Sequence, residues 1–416
     1  MNVLVLDGNE NQAVASVRSL ARAGHRVAVG APTSWSKAGW SRACAATFVY
    51  PAPQQSAADF VARIAEEVKR APNTLVLPMT ERTTLPLSAA RERIFAAGGK
   101  LVLPPHTTVL RAFDKEQTTA LAAQLGIAVP RTWTIHDTQT LKETARAITF
   151  PAVLKPQSSE EISSDGQVRA TGAPVYARNA AEFEAAYAEL RQRCSVVLAQ
   201  EFIAGQGCGY FALLNHGEPR AEFAHRRIRD VRPTGSGSAL RESAVPDEAL
   251  RTAGLAILRA LNWHGVAMVE FRRRPDGALV FLEVNGRFWN SLPLAVYAGA
   301  DFPALLAQLA ERGDCDALPP APPGVRCRWL LGDVRHLLEV WRGKPAGFAG
   351  EFPQRGQTLL DFLTPVAGTY HDNFTWRDPL PELGDWLDFV LRKLPAQRQK
   401  VKAAVPPTHA SVALNK

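Results

Sequence analysis

Short apolar runs alternate with amphipathic stretches through the first hundred positions of this 416-residue chain. Val3 to Leu6 is wholly apolar and ends at the turn-forming Asp7-Gly8-Asn9. Helical spacing follows from Gln12 to Ala23 and stops at Gly24, a residue suited to a left-handed helix end. A second strand is predicted over His25 to Val29, a helix over 57–70, and strands over Thr74 to Leu77 and Lys100 to Leu103. Strands and helices in alternation predict a parallel sheet flanked by helices. Such sheets bind ligands at the carboxyl ends of their strands, where Asp7-Gly8-Asn9 and Pro78-Met79-Thr80-Glu81 fall. No GxGxxG follows the first strand, so a dinucleotide fingerprint is absent.

Further on, a helix is predicted over Phe113 to Gly126, with Asp114 able to cap it and Gln117 at the reciprocal capping position. Strands and helices alternate again from Thr132 to about Phe211. Between two strand signals lies the polar stretch Gln157–Gly172, expected to be a mobile loop able to close over a ligand beside Lys155. Past Gly313 the chain is proline-rich, then carries amphipathic helices near Trp329–Trp341 and Asp385–Leu394. The last twenty residues are polar or basic and are expected to be disordered. These shifts divide the chain into an N-terminal α/β domain (1–112), a two-lobed α+β domain (113–313, lobes about 113–197 and 198–313) and a mainly helical C-terminal extension (314–416).

Composition narrows the function. Hydrophobic residues at 46% and charged residues at 21% are ordinary for a globular protein. No apolar stretch reaches transmembrane length, and no basic segment precedes the first strand, so neither a membrane span nor a signal peptide is expected. Five scattered cysteines without a CxxC read as free thiols, and a cytoplasmic location is expected. The net charge of +8 comes from 48 basic residues, of which 37 are arginine. That surplus suits anionic small molecules but shows no nucleic-acid signature.

The chemistry concentrates in Val266–Arg287. Two apolar strands flank Pro275-Asp276-Gly277, and Asp-Gly is a hairpin signal. A tip at Asp276-Gly277 sets Glu270 directly across from Glu283, with Asn285 on the same face. Facing carboxylates repel, and a divalent cation held together with phosphate relieves the repulsion. Removing Glu283 is therefore expected not to destabilise the metal-free protein. Arg287 continues the face and could meet a phosphate or an acyl-phosphate. Lys155 ends the apolar run Ala152–Leu154, where a buried charge needs a partner such as phosphate. Lys115 opens its helix, against the helix dipole unless an anion is held there. Val196–Ile203 leaves an apolar strand through Gln200-Glu201 and could wall a purine ring; alone it reads rather as an ordinary core strand. Arg241, near the glycine-serine turn Gly235–Ser238, is a candidate contact for a substrate carboxylate or acyl-phosphate.

In chain order, Lys115 at a helix start, Lys155 closing a strand, the strand exit Val196–Ile203 and the hairpin with Glu270, Glu283 and Asn285 resemble the ATP-grasp superfamily over about Asp114 to Gly313, with Glu-Val-Asn-Gly-Arg the most specific match. The nearest likeness is to carbamoyl-phosphate-synthase-like and D-alanine–D-alanine-ligase-like members, and the preceding α/β segment resembles the domain that usually precedes this fold. The resemblance implies ATP phosphates on Lys115 and Lys155, adenine held by Gln200, Glu201, Phe202 and Ile203, and Mg²⁺ (Mn²⁺ being an alternative) on Glu270, Glu283 and Asn285. It implies an ATP-dependent ligase joining a small carboxylate to an amine, or a thiol, through an acyl-phosphate, with Arg287 and Arg241 at the reacting end. Carboxyl or carbamoyl transfer and a non-catalytic ATP-binding regulator are the alternatives, and a homodimer is compatible. The chain departs from the family pattern in a glycine-poor 157–172 and in Gln206, near where an acidic ribose ligand often falls. In the last predicted helix Trp386, Phe389 and Val390 stand beside Arg392, Lys393, Arg398, Lys400 and Lys402. Packing onto its own domain is expected there, rather than membrane contact.

Overall fold

The computed structural model describes residues 1–162, 167–345, 348, 351–364 and 366–391. Strands β1 (Asn2–Val5), β2 (Arg26–Ala31), β3 (Ala46–Val49), β4 (Thr74–Leu77) and β5 (Gly99–Lys100) form the expected parallel sheet, in the order β3-β2-β1-β4-β5. Helices α1 (Asn11–Arg22), α2 (Ala57–Arg70), α3 (Glu81–Ala89), α4 (Arg91–Ala96) and α5 (His106–Phe113) connect them. Helix α2 shows why the local pattern is sufficient. Ser56 accepts a hydrogen bond from the Asp59 amide, and Phe60, Val61, Ile64, Ala65 and Val68 form its buried stripe. Three of the four residues of the edge strand β3 are exposed. The predicted helix 113–126 corresponds to α6 (Lys115–Gln124), with Phe113 closing α5 instead. Asp114, in an extended conformation, ends α5 and caps α6.

The chain continues through β6 (Thr132–Ile135), α7 (Thr138–Ala147), β7 (Ala152–Pro156), β8 (Glu160–Ile162), β9 (Val168–Ala170), β10 (Val175–Ala177), α8 (Ala180–Arg191) and β11 (Val197–Glu201). An antiparallel sheet in the order β10-β7-β11-β6 packs on α7 and α8 around Leu141, Leu154, Phe183 and Val197, forming a small lobe with its own core. The segment expected to be a loop over 157–172 contains the antiparallel ribbon β8–β9. Its residues 163–166 lie outside the described residues. Arg82 Nη2 stands 3.2 Å from Glu160 Oε1, and the Val168 amide donates to the Pro53 carbonyl at 3.3 Å, so the ribbon rests on the N-terminal domain.

The large lobe comprises β12 (Gln206–Asn215), β13 (Glu218–Arg232), β14 (Ser236–Ala244), α9 (Glu248–Ala260), β15 (Gly265–Arg273), β16 (Leu279–Asn285), α10 (Leu292–Tyr297) and α11 (Phe302–Arg312). The remaining elements are β17 (Arg326–Arg328), α12 (Leu330–Arg342), α13 (Arg355–Leu363), β18 (Thr369–His371) and α14 (Leu380–Leu391). Seven strands join in the order β16-β15-β12-β13-β14-β17-β18. Alternate residues of β12 enter two cores. Tyr210, Ala212 and Leu214 pack with α9, while Phe211 and Leu213 face Trp289 and the N-terminal domain. The segment after residue 313, expected to be mainly helical, also supplies β17 and β18 to this sheet: β17 pairs with β14, and β18 with β17. The basic residues from Arg392 onward lie outside the described residues.

Candidate functional site

The hairpin β15–β16 sets the site. Glu270 pairs with Glu283, as the turn position predicted, but by another route. The turn is the three-residue loop Pro275-Asp276-Gly277, with Arg274 and Ala278 bonded across it and Gly277 at φ +87°. That loop alone would offset the register by one. The irregularity after Glu270 leaves Leu282 as the extra residue and returns Glu270 to face Glu283.

Cations surround the two carboxylates. Arg227 Nη2 donates to Glu270 Oε1 at 2.8 Å. A Cβ on Gly207 would stand 2.9 Å from Arg227 Nη1, so this glycine clears the guanidinium's path across β12. Lys115 Nζ donates to Ser159 Oγ at 3.2 Å and lies 3.8 Å from Glu283 Oε2. Asn285 Nδ2 donates to Glu283 Oε1 at 3.2 Å, and Asn285 Oδ1 accepts from Arg287 Nη2 at 2.9 Å. Arg287 reaches across to Glu81 of the N-terminal domain, 3.6 Å away. Lys155, on β7 in the small lobe, is 6% exposed, and its ammonium has no hydrogen-bond partner among the described residues. Burial pushes its ammonium down to about 8, with Glu283 pulling the other way. For Glu283 burial raises the carboxyl, but Lys115 and Lys155 outweigh it and the net shift is downward. Glu81 is raised by burial, opposed by Arg287 and Lys115.

Lys115, Lys155, Gln200, Glu201, Phe202, Ile203, Glu270, Glu283, Asn285 and Arg287 all line one cleft of about 510 Å³ between the lobes. At its far end the residues 200–203 leave β11. Gln200 Nε2 donates to Thr132 Oγ1 at 2.9 Å, and Tyr176 meets Phe202 edge-on at 6.1 Å. Among the described residues no three His, Cys, Asp or Glu side chains gather for a metal. The hairpin offers the cleft two carboxylates and an amide, a donor set whose remaining positions would fall to water and phosphate, as Mg²⁺ prefers. A larger cavity of about 710 Å³ lies beyond Arg227, but its arginines are engaged with Glu242 and Asp333.

Arg241 is a correction. Its side chain is 0% exposed, donates to the Ser238 carbonyl at 2.9 Å and to both oxygens of Asp372 on the loop after β18, and does not line the cleft. It faces inward from β14, so sequence proximity to the Gly235–Ser238 turn misled. Gly235, Gly237 and Ser238 do line the cleft, with Arg227 and Arg232. Breaking one partner of a fully buried ion pair costs roughly 3–5 kcal/mol. Asp372→Asn is accordingly expected to lower the unfolding free energy by about that amount in denaturant titration, leaving ATP affinity within twofold of wild type. From sequence, His225 and Arg227 are expected only as part of a substrate-facing loop over 225–243, which is instead the strand pair β13–β14, and the contacts of Arg227, Glu81 and His225 were not foreseen. Arg227 belongs to a run of basic residues that looks solvated until β12 supplies its glycine gap. Glu81 sits at a strand end already marked as a ligand position. His225 Nε2 lies 2.9 Å from Ser291 Oγ, and burial lowers its basicity well below the usual imidazole range.

No family model matches the chain. It is 27% identical over 247 residues to the carbamoyl phosphate synthase large chain of Methanoculleus marisnigri, covering 57% of this chain and 22% of that one, so it spans about a fifth of the relative's length. Among solved structures, the biotin carboxylase domain of Hydrogenobacter thermophilus 2-oxoglutarate carboxylase, in complex with MgADP and bicarbonate, superposes with a TM-score of 0.58 at 14% identity, over 75% of this chain and 70% of that one. An L-amino acid ligase from Bacillus licheniformis gives 0.56 at 18% identity, over 75% and 74%. With the Glu270–Glu283 hairpin facing two lysines across a two-lobed cleft, these likenesses show that the chain has the ATP-grasp fold.

Proposed function

We propose that this chain is an ATP- and Mg²⁺-dependent ligase that joins a small carboxylic acid to an amine through an acyl-phosphate. The observation that carries the reading is the convergence of Lys115, Lys155, Glu270, Glu283, Asn285 and Arg287 on one cleft from three separate parts of the chain. Lys115 and Lys155 bind the triphosphate, and residues 200–203 hold the adenine. Glu270, Glu283 and Asn285 hold Mg²⁺, which when bound would neutralise phosphate charge. The substrate carboxylate is held at Arg287, where its oxygen attacks the γ-phosphorus and ADP leaves. The amine nitrogen then attacks the acyl carbon, phosphate departs, and the amine gives up a proton. Orientation and fixed positive charge do most of this work, so no protein nucleophile is required. The wall of Glu81 opposite Arg287 supplies negative charge where an ammonium would approach.

The likeness to a carbamoyl phosphate synthase chain and to a bicarbonate-bound carboxylase domain supports a second reading, in which bicarbonate is the acid. An ADP- and phosphate-release screen over amino acids, dipeptides and small acids, with and without bicarbonate, separates the two. Release dependent on an acid and an amine together is expected. Release of AMP and pyrophosphate would overturn the acyl-phosphate route, and turnover with bicarbonate alone would favour the second reading.

A further inference from the structure

The cavity of about 710 Å³ beyond Arg227 is walled by one face of the large-lobe sheet. On β14, Leu240 and Glu242 alternate with Arg241, so they leave the sheet on the face opposite to that inward-pointing arginine. The strand register carries this face across its neighbours. Glu242 pairs with Arg226 of β13 and Arg326 of β17, and Leu240 with Arg229 and Arg328. On β18, Thr369 stands beside Arg326 and His371 beside Arg328. All of these except Glu242 line the cavity.

The cations are shared two to a carboxylate. Glu242 accepts from Arg226 Nη2 at 2.8 Å and from Arg326 Nε at 2.6 Å. The fully buried Asp333 of α12 accepts from Arg229 Nη1 and Arg328 Nε, both at 2.5 Å. Two guanidinium groups on one carboxylate leave one positive charge in surplus at each pair. Arg229 and Arg328 also donate to the carbonyls of Asp361 and Phe362. A guanidinium has five N–H donors, so these contacts fix the four groups in place and leave donors for a ligand. Thr369 Oγ1 and His371 Nδ1 are buried without a hydrogen-bond partner among the described residues. Asp361 is the one acidic residue of the described lining; it is exposed, and its side chain accepts from Gln357 Nε2 at 2.7 Å.

The two surplus charges have a fixed spacing. Arg326 and Arg328 are two residues apart on one strand, which sets the two ends roughly 7 Å apart. Each end repeats one arrangement: a pair of arginines beside one polar residue of β18. Leu240 and Ile228 supply apolar surface on the same wall.

We propose that this cavity is a second ligand site, built for a linear dicarboxylate. One carboxylate meets Arg226 and Arg326, the other meets Arg229 and Arg328, and the carbon chain lies against Leu240. Arginine suits carboxylate through parallel N–H donors. A surplus of one charge at each end matches a carboxylate better than a doubly charged phosphate. The site is separate from the ATP cleft, where His225, next to Arg226 in sequence, points to the other face of β13. It stands whether or not the reaction proposed for that cleft is correct.

Calorimetric titration of the nucleotide-free full chain with malonate, succinate, glutarate and adipate, and with butyrate as a single-charge control, tests the proposal at constant ionic strength. Glutarate and adipate, whose extended chains best match the spacing, are expected to saturate one site at least about tenfold more tightly than malonate or butyrate. Arg226→Gln, at a side chain 58% exposed, is expected to weaken glutarate at least about fivefold while melting with wild type. Lys155→Met, in the cleft, is expected to bind glutarate as wild type does. The proposal is overturned if no dicarboxylate binds saturably, or if all the acids bind alike. It is equally overturned if binding is lost in Lys155→Met and kept in Arg226→Gln, which would move the anion to the cleft.

Discussion

Glu283→Ala is expected to lose Mg²⁺-dependent turnover by about a thousandfold and to melt lower than wild type even without metal or nucleotide. The first effect follows from the proposed site. Glu283 is one of only two carboxylates in the cleft's donor set, and phosphoryl transfer depends on the charge that set would hold in place. The second reverses the expectation from the facing pair alone. Two glutamates opposite each other on a bare hairpin repel, so deleting one would relieve strain. In the folded protein Arg227 already pairs with Glu270, and Glu283 lies close to Lys115 and within the field of Lys155. The net downward shift of the Glu283 carboxyl means that folding favours its charged form. That contribution is present above the unfolded carboxyl value and is lost as the pH falls through the lower folded one. Deleting the carboxylate at pH 7 leaves two mostly buried lysines uncompensated. Because the glutamate side chain is 29% exposed, the loss should fall below that of a fully buried pair, at about 1–3 kcal/mol. Thermal melts of nucleotide-free protein check it, and a variant melting with wild type would show that Glu283 does not compensate the lysines.

Lys155→Met should do the opposite to stability while also crippling the site. The lysine's folded value of about 8 lies below that of a free lysine, chiefly through burial. The protonated side chain therefore destabilises the nucleotide-free fold at neutral pH, by an amount on the order of 3 kcal/mol. This penalty is fully present below pH 8 and is relieved as pH rises from about 8 towards the unfolded value near 10.4. Methionine fills similar space without the charge, so the variant should melt several degrees higher at pH 7. ATP affinity should fall by about a hundredfold or more, with adenosine affinity unchanged, because in the proposed site phosphate would pair with the buried ammonium. In the wild type, ATP affinity should weaken as pH rises through 8, with proton uptake on binding above that pH. Calorimetric titrations with ATP and adenosine at pH 7 and 9 decide it. Equal losses for both ligands would mean that Lys155 does not read phosphate.

Much of this architecture was legible in the sequence because it depends on local periodicity. Helix α2 and strand β4 fall where their apolar spacing put them, since a buried stripe and a fully buried strand leave direct marks in sequence. The Glu270–Glu283 pairing was legible because a hairpin is a local object with a fixed side-chain period of two. Even so, its turn geometry and the compensating irregularity at Leu282 were not, since one extra residue costs little and leaves no compositional trace. Lys115 and Lys155 stood out as charges in places that local structure disfavours.

Contacts between distant segments were decided only by the tertiary structure. Arg241, beside a glycine turn, was a candidate contact for a substrate carboxylate, and a carboxylate 131 positions away makes it a buried structural pair. The strands β17 and β18 were unreadable because three residues at a sheet edge need no periodicity, only an open neighbour such as β14. The neutralisation of Glu270 by Arg227 required the gap at Gly207 on an intervening strand. The sequence marked which residues were locally unfavourable and therefore candidates for chemistry. Which charges compensate one another, and whether an apolar residue of α14 is half-buried, as Trp386 and Phe389 are, or exposed, as Val390 is, depends on electrostatics and burial acting through space, at separations along the chain that no local pattern encodes.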